Sequence, residues 1–126
     1  VSHRVLAVDD DPVIQRLLEV NLEMEGYEVR LAGDGNEAVA AAKEFLPHVI
    51  LMDVMMPNKD GWQACADLKA DPNLAHIPVV FLSARAQDAD IKQGTALGAS
   101  AYVTKPFDPI DLLDLVAELI GENGQA

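Results

Sequence analysis

Apolar and polar positions fall into two alternating kinds of run. Short, densely apolar stretches occur at Arg4-Val-Leu-Ala-Val8, Tyr27-Glu-Val-Arg-Leu31, His48-Val-Ile-Leu-Met-Asp53, Ile77-Pro-Val-Val-Phe-Leu82 and Ala101-Tyr-Val-Thr104. Each has strand length, and the second alternates. The longer segments between them repeat at helical spacing. Pro12 suits a first helical turn, and Val13, Ile14, Leu17, Leu18 and Leu22 share one stripe until Gly26. After a turn at Gly33-Asp-Gly35, a second helix is predicted to direct Ala38, Val39, Ala42, Phe45 and Leu46 inward. Asn58-Lys-Asp-Gly61 leads into a third, which ends near Asp71-Pro72. A fourth, from about Gln87 to Leu97, has a thin apolar stripe diluted by Gly94, Thr95 and Ala96, and Gly98 closes it. The last, from about Asp108, carries Leu112, Leu113, Val116, Leu119 and Ile120 on one side and is expected to stop at Gly121. Strands alternating with helices imply parallel βαβ units with right-handed crossovers, hence an α/β domain with a doubly wound sheet.

The third strand anchors this reading. Bounded by Pro47 and Pro57, it runs four apolar residues into a carboxylate, Asp53. Continuous apolarity means burial on both faces. In open α/β sheets the ligand crevice lies outside the carboxyl ends of the strands. Four of the five strands end in a group with chemistry: Asp9 and Asp10, Asp53, Ser83 and Lys105. All five groups would meet on one rim.

Composition narrows the partners. The 126 residues fit one domain able to bury a core unaided. A formal net charge of −12 argues against non-specific binding to nucleic acid or an anionic membrane, and favours a cationic or metal-bearing partner. The single cysteine, Cys65, excludes an internal disulfide and fits a reducing, cytoplasmic setting, with the thiol serving as a small buried hydrophobe. No apolar run reaches membrane-span length and no signal peptide opens the chain. The absent initiator Met suggests processing or excision from a longer chain.

Three carboxylates held within about 4 to 6 Å repel by roughly 4 kcal/mol per close pair at an effective dielectric near 20. Such a site calls for cations. An all-oxygen set with room for water and phosphate suits magnesium, with manganese as a substitute, better than zinc. Lys105 adds a mobile positive charge able to reach a phosphate oxygen. A carboxylate beside a divalent cation and an ammonium is placed to attack phosphorus and become an acyl phosphate. Ser83 could donate its hydroxyl to the phosphoryl group.

These residues resemble the receiver domain of bacterial two-component response regulators, and the resemblance covers essentially the whole chain. Val8-Asp9-Asp10 is similar to the family's acidic pair, and Leu51-Met-Asp53-Val-Met-Met-Pro57 with Asp60-Gly61 to its phosphoacceptor motif. Ser83-Ala84 is similar to the Ser/Thr-Ala step, and Tyr102-Val-Thr-Lys105-Pro106-Phe107 to the switch aromatic and Lys-Pro pair. The resemblance implies a flavodoxin-like (βα)5 fold with strand order 2-1-3-4-5, a receiver domain over residues 1–121, and a polar tail or linker start at 122–126. It makes Asp53 the phosphoacceptor, served by a sensor histidine kinase or a histidine phosphotransfer protein, in a signalling domain rather than a classical enzyme. Asp10, Asp53 and the Met55 backbone carbonyl would bind magnesium, with Asp9 acting mainly through water. Lys105 and Ser83 would contact the phosphoryl group, Ser83 and Tyr102 would switch, and the peptide bond to Pro106 would be cis. Phosphorylation would alter the face formed by the fourth helix, fifth strand and fifth helix, where an effector docks. Met55 and Arg85 would flank the site and tune phosphoryl loss.

Other residues receive plainer readings. Asp11 is a solvated cap, and Trp62 shields a helix face. His3, His48 and His76 share no spacing and are assigned no catalytic or metal role. Met52, Met55 and Met56 serve packing, apart from the Met55 carbonyl. The acidic groups Asp108, Asp111, Asp114, Glu118 and Glu122 make a solvated face, unlike the basic last helix of the DNA-binding subfamily. A rival reading takes Asp9 and Asp11 as the Asp-x-Asp signature of a haloacid-dehalogenase-like phosphatase. Against it, Pro12 leaves no room for the flap such enzymes insert, and Asp53 goes unexplained. A third reading is a receiver-like scaffold that binds a partner without phosphorylation.

Overall fold

The computed structural model describes residues 2–85 and 87–124. The chain runs β1 (Arg4–Val8), α1 (Pro12–Met24), β2 (Glu28–Ala32), α2 (Gly35–Phe45), β3 (Val49–Asp53), α3 (Gly61–Ala70), β4 (Val79–Ser83), α4 (Asp88–Ala96), β5 (Ala101–Thr104) and α5 (Pro109–Gly124). The five strands form one sheet in the order β2-β1-β3-β4-β5, and every pairing is parallel. This is the flavodoxin-like (βα)5 arrangement expected.

The period of two along each strand divides the core between the two faces. Leu6, Val8, Ile50, Met52 and Phe81 face Ala38, Ala42, Cys65 and Leu68 from α2 and α3. Val5, Ala7, Val49, Leu51, Val80 and Leu82 face Leu18, Leu22, Leu112 and Val116 from α1 and α5. Because β1, β3 and β4 are covered on both faces, their sequences cannot alternate in polarity. β2 and β5 lie at the edges, where residues are half-buried.

The helix ends follow local chemistry. Asp11, Asp34 and Asp60 N-cap α1, α2 and α3, each accepting a backbone N–H from its own first turn. Pro78 has no N–H to give to a ladder, and β4 begins one residue later than Pro78 and two later than Ile77.

Three expectations are corrected. Val13 is 72% exposed and Leu17 is also exposed, whereas Leu18 and Leu22 are buried. Two apolar rows run side by side along α1, Ile14-Leu18-Leu22 and Val13-Leu17-Val20-Met24, and the sheet covers only the first. Leu46 is not inward: it caps α2 in the left-handed conformation, φ 50°, and is about half exposed. Finally, α5 does not stop at Gly121 but continues to Gly124. Gly121 lacks the positive φ of a terminating glycine, while Gly26 and Gly98 have it. The expected tail is therefore helical to 124, with Gln125 and Ala126, and the side chain of Glu122, outside the described residues.

Candidate functional site

β1, β3 and β4 terminate together, and their final residues or successors face one crevice. In register, Val8 pairs with Met52 and Asp53 with Leu82, so the residues following β1 stand beside the end of β3. Asp9, Asp10 and Asp53 each offer a carboxylate oxygen, and these oxygens all lie within 4.8 Å of one another. Asp9 and Asp53 are buried, while Asp10 is exposed.

Lys105 closes the cluster from the β5 side. Its Nζ donates to Asp9 Oδ2 at 2.6 Å and lies 3.4 Å from Asp53 Oδ2. Its backbone N–H donates to the Ser83 carbonyl at 2.8 Å, and its peptide bond to Pro106 is cis. Burial opposes the ammonium charge, but the hydrogen bond to Asp9 and the charges of Asp53 and Asp9 outweigh it and raise the Lys105 pKa. At Asp53 the balance goes the other way. Burial first, then the charge of Asp9, raise its pKa despite Lys105.

The two aspartates after β1 differ in availability. Asp9 Oδ1 accepts the Asp11 N–H at 2.9 Å and Oδ2 is held by Lys105, so both oxygens have partners. Among the described residues no hydrogen bond or ion pair engages the Asp10 carboxylate. Asp11 instead accepts the Val13 N–H at 2.9 Å, which makes it a helix cap. Three carboxylates, one solvent-facing and unengaged, form an all-oxygen donor set that fits a hard divalent cation.

The loop after β3 is fixed by glycines whose role only packing explains. A Cβ at Gly61 would lie 2.3 Å from the Asp53 carbonyl oxygen, and one at Gly35 would lie 2.5 Å from the Lys59 carbonyl oxygen. Gly61 N–H donates to Val54 O at 2.8 Å and Gly35 N–H to Lys59 O at 2.8 Å. We expect Gly61→Ala to destabilise the fold by about 2 kcal/mol, because the backbone after Asp53 must move. Chemical denaturation checks this; an unchanged midpoint would contradict the close packing.

Ser83 ends β4, almost wholly buried, and its Oγ accepts the Arg85 N–H at 3.0 Å. Tyr102 Oη donates to the Arg85 carbonyl. The half-buried Tyr102 ring packs near Phe81 and Trp62, with centroids 6.1 and 6.3 Å away. Trp62 thus packs against aromatic neighbours over the sheet. A Cβ at Gly94 would lie 3.2 Å from Tyr102 and 3.3 Å from Phe81, so glycine lets α4 approach this cluster.

Sequence reasoning did not find Asp90. It is a buried carboxylate on α4, ion-paired to Arg85 Nη2 at 2.9 Å and accepting the Gln87 N–H at 3.2 Å. The three-residue spacing from Gln87 was the available signal. The only buried residues of α4 are Asp90 and Gly94, which accounts physically for its thin apolar stripe. Gln15 was also missed; its side-chain amide donates to the Asp9 carbonyl at 2.6 Å and steadies the acidic loop. Arg85 reaches Met55 Sδ at 3.5 Å, so the two flanking side chains touch. His3 and His48 are edge-to-face, 5.0 Å between centroids, far along the strands from the carboxylates.

Residues 5–117 match the family model described as response regulator receiver domain. Among curated proteins, the chain is 44% identical over 117 residues to the DNA-binding dual master transcriptional regulator RpaA of Synechocystis, covering 93% of this chain and 48% of that protein. It is 47% identical over 119 residues to response regulator PleD of Caulobacter vibrioides, covering 94% of this chain and 26% of that protein. The chain thus spans between a quarter and a half of these relatives. Among solved structures, the receiver domain of sensor histidine kinase PA1611 from Pseudomonas aeruginosa superposes with a TM-score of 0.88 at 33% identity, covering 96% of this chain and 99% of that one. That structure holds a magnesium ion coordinated in its active-site cleft. With the parallel (βα)5 sheet and the clustered carboxylates in place, the match over residues 5–117 establishes that this chain belongs to the response regulator receiver domain family.

Proposed function

We propose that Asp53 is the phosphoacceptor of this receiver domain, taking a phosphoryl group from a phospho-histidine donor on a sensor kinase or a histidine phosphotransfer protein. The observation that carries the reading is the convergence of Asp9, Asp10, Asp53 and Lys105 around one point. One carboxylate oxygen of Asp53 attacks phosphorus, the P–N bond to the donor imidazole breaks as the P–O bond forms, and the imidazole leaves with a proton from solvent. Lys105 moves from the carboxylates to the incoming phosphoryl oxygens and holds them for in-line transfer.

Asp10, Asp53 and the Met55 carbonyl would hold magnesium, or manganese in its place, which when bound neutralises charge on the phosphoryl oxygens. Two features support this set over its neighbours. Asp9 is already committed to Lys105 and the Asp11 N–H, so it would reach the ion through water. The carbonyls of Val54 and Pro57 accept backbone N–H groups, while among the described residues none is bonded to that of Met55. The magnesium of the PA1611 receiver adds to the same reading.

The switch would run through the backbone of Arg85. Ser83 Oγ turning to the phosphoryl group gives up the Arg85 N–H, and the Arg85 carbonyl then releases Tyr102. α4, held by one ion pair and a glycine contact, is the element free to respond. The effector would dock on the α4-β5-α5 face, and the domain would extend through the end of α5 at Gly124 rather than stop at 121. No described helix is long and apolar enough to cross a membrane, and a cytoplasmic place fits the kinase partner.

Incubation with acetyl phosphate and magnesium, followed by mass spectrometry of borohydride-trapped peptides, is expected to place the phosphoryl group on Asp53. Label on Asp9 would support the phosphatase reading instead. That reading is disfavoured on structural grounds, since only residues 9–11 separate β1 from α1 and Asp11 caps the helix. For the phosphorylation-free scaffold, magnesium titration decides: Trp62 fluorescence should change through its contacts with Phe81 and Tyr102, with calorimetry reading heat directly. No response in either would favour the inert scaffold.

A further inference from the structure

A cleft of about 640 Å³ lies at the opposite end of the sheet from the acidic site. It opens where β1, β3 and β4 begin, between the end of α2 and the loop joining α3 to β4. Its size is within the range of small-molecule sites, roughly 300 to 1,000 Å³.

Three observations describe what would fit. First, charge: the chain carries 21 acidic residues against 9 Lys and Arg. Yet Arg4, Lys43, His48 and His76 line this cleft against the single carboxylate of Asp71. No described carboxylate pairs with Lys43 or His76, and Asp71 Oδ1 is already engaged by the Asn73 N–H. Second, the donors are held in place. Arg4 Nε and Nη2 donate to the carbonyls of Phe45 and Leu46, which fixes the guanidinium and leaves its Nη1 N–H groups uncommitted among the described bonds. His48 Nδ1 accepts the Arg4 N–H at 2.9 Å, so the neutral ring carries its proton on Nε2 as a further donor. Burial, with the charges of Arg4 and His3, lowers the His48 pKa and favours that neutral form.

Third, the apolar wall is built at a conformational cost. Leu46 is in the left-handed region, where Gly or Asn is preferred, and its exposed side chain lines the cleft. Leu74 and Ile77, both buried, complete that wall. Pro47 and Pro78 stiffen the backbone on either side.

We propose that this cleft binds a small organic anion, its charged group meeting Arg4, Lys43 and His48 and its flat apolar body lying against Leu46, Leu74 and Ile77. The site is independent of the acidic one, since the same five-residue strands separate them by roughly 17 Å. Phosphotransfer at Asp53 is not required for binding.

The test is a titration of the 15N-labelled chain with naphthalene-2-sulfonate, followed by amide chemical shifts. Inorganic sulfate and 2-naphthalenemethanol are run separately as the charge alone and the ring alone. Shifts saturating in residues 43–48 and 71–78, with each half-probe at least about tenfold weaker, are the expected result. Lys43→Glu, at an exposed position, should weaken the sulfonate about tenfold while leaving the melting temperature within a degree or two. His76→Glu, also exposed, should weaken it in the same direction. Equal binding of the uncharged alcohol, insensitivity to both reversals, or shifts confined to the α1/α5 groove near Leu17 and Leu113 would each overturn the proposal.

Discussion

Asp53→Asn is expected to abolish phosphorylation completely and yet raise the melting temperature at pH 7. The substitution replaces the carboxylate proposed to attack phosphorus with a neutral, poorly nucleophilic amide, so the loss of labelling follows from the proposed chemistry. The gain in stability follows from electrostatics. Two unit charges 4 Å apart repel by roughly 4 kcal/mol at an effective dielectric near 20. The attraction of Lys105 offsets part of this, but Lys105 sits closer to Asp9, at 2.6 Å, than to Asp53, at 3.4 Å. Burial and Asp9 therefore prevail at Asp53, whose pKa is raised. The net relief is on the order of 1 kcal/mol, or about 3 to 5 °C for a domain of this size.

The pH dependence carries the sign. The folded chain holds the Asp53 proton more tightly than the unfolded chain does. Its favourable contribution is thus fully present below the ordinary carboxylate pKa and is lost as pH rises through the raised value. The advantage of Asn over Asp should accordingly be largest near neutrality and fade toward pH 3. Scanning calorimetry of both proteins at pH 3, 5 and 7 measures this. A drop in melting temperature at pH 7 would contradict the repulsive cluster.

The second large effect separates two adjacent aspartates. Asp10→Ala should weaken magnesium binding by roughly 30- to 100-fold, the loss of one of the two carboxylates proposed to bind the ion directly. Asp11→Ala should leave the magnesium Kd within about twofold but cost roughly 1 kcal/mol of stability, because it removes the α1 cap. Asp10 makes no hydrogen bond or ion pair among the described residues, so its removal should cost little stability. Calorimetric titration and denaturation of both variants give a crossed pattern. Equal loss of affinity from both would mean that the ligands are misassigned.

Domains of this family are used within longer proteins, as the partial coverage of RpaA and PleD shows. Under the proposed function, output would depend on what the α4-β5-α5 face touches. The physical basis for such a response would lie in α4. Its buried residues are a carboxylate paired to Arg85 and a glycine against Tyr102, not a set of interlocked side chains. Both contacts converge on the segment after Ser83.

Much of this was legible in one dimension. Strands covered on both faces must be apolar throughout, so β1, β3 and β4 announced themselves, and their spacing by helical segments fixed a parallel, doubly wound sheet. The rim residues Asp9, Asp10, Asp53, Ser83 and Lys105 followed, because a strand's end is set by where its apolar run stops. What the sequence could not contain was relative position within that rim. That Lys105 binds Asp9 more closely than Asp53, that Asp10 stays unengaged and that Asp11 turns away to cap α1 depend on how three strands are staggered. Likewise, helical period allowed both apolar rows of α1 to be inward, and only the packing of α1 in the fold decided that Val13 and Leu17 are not. Local pattern records which residues avoid water; distances of a few ångströms between chain-distant groups arise only when the packed elements meet.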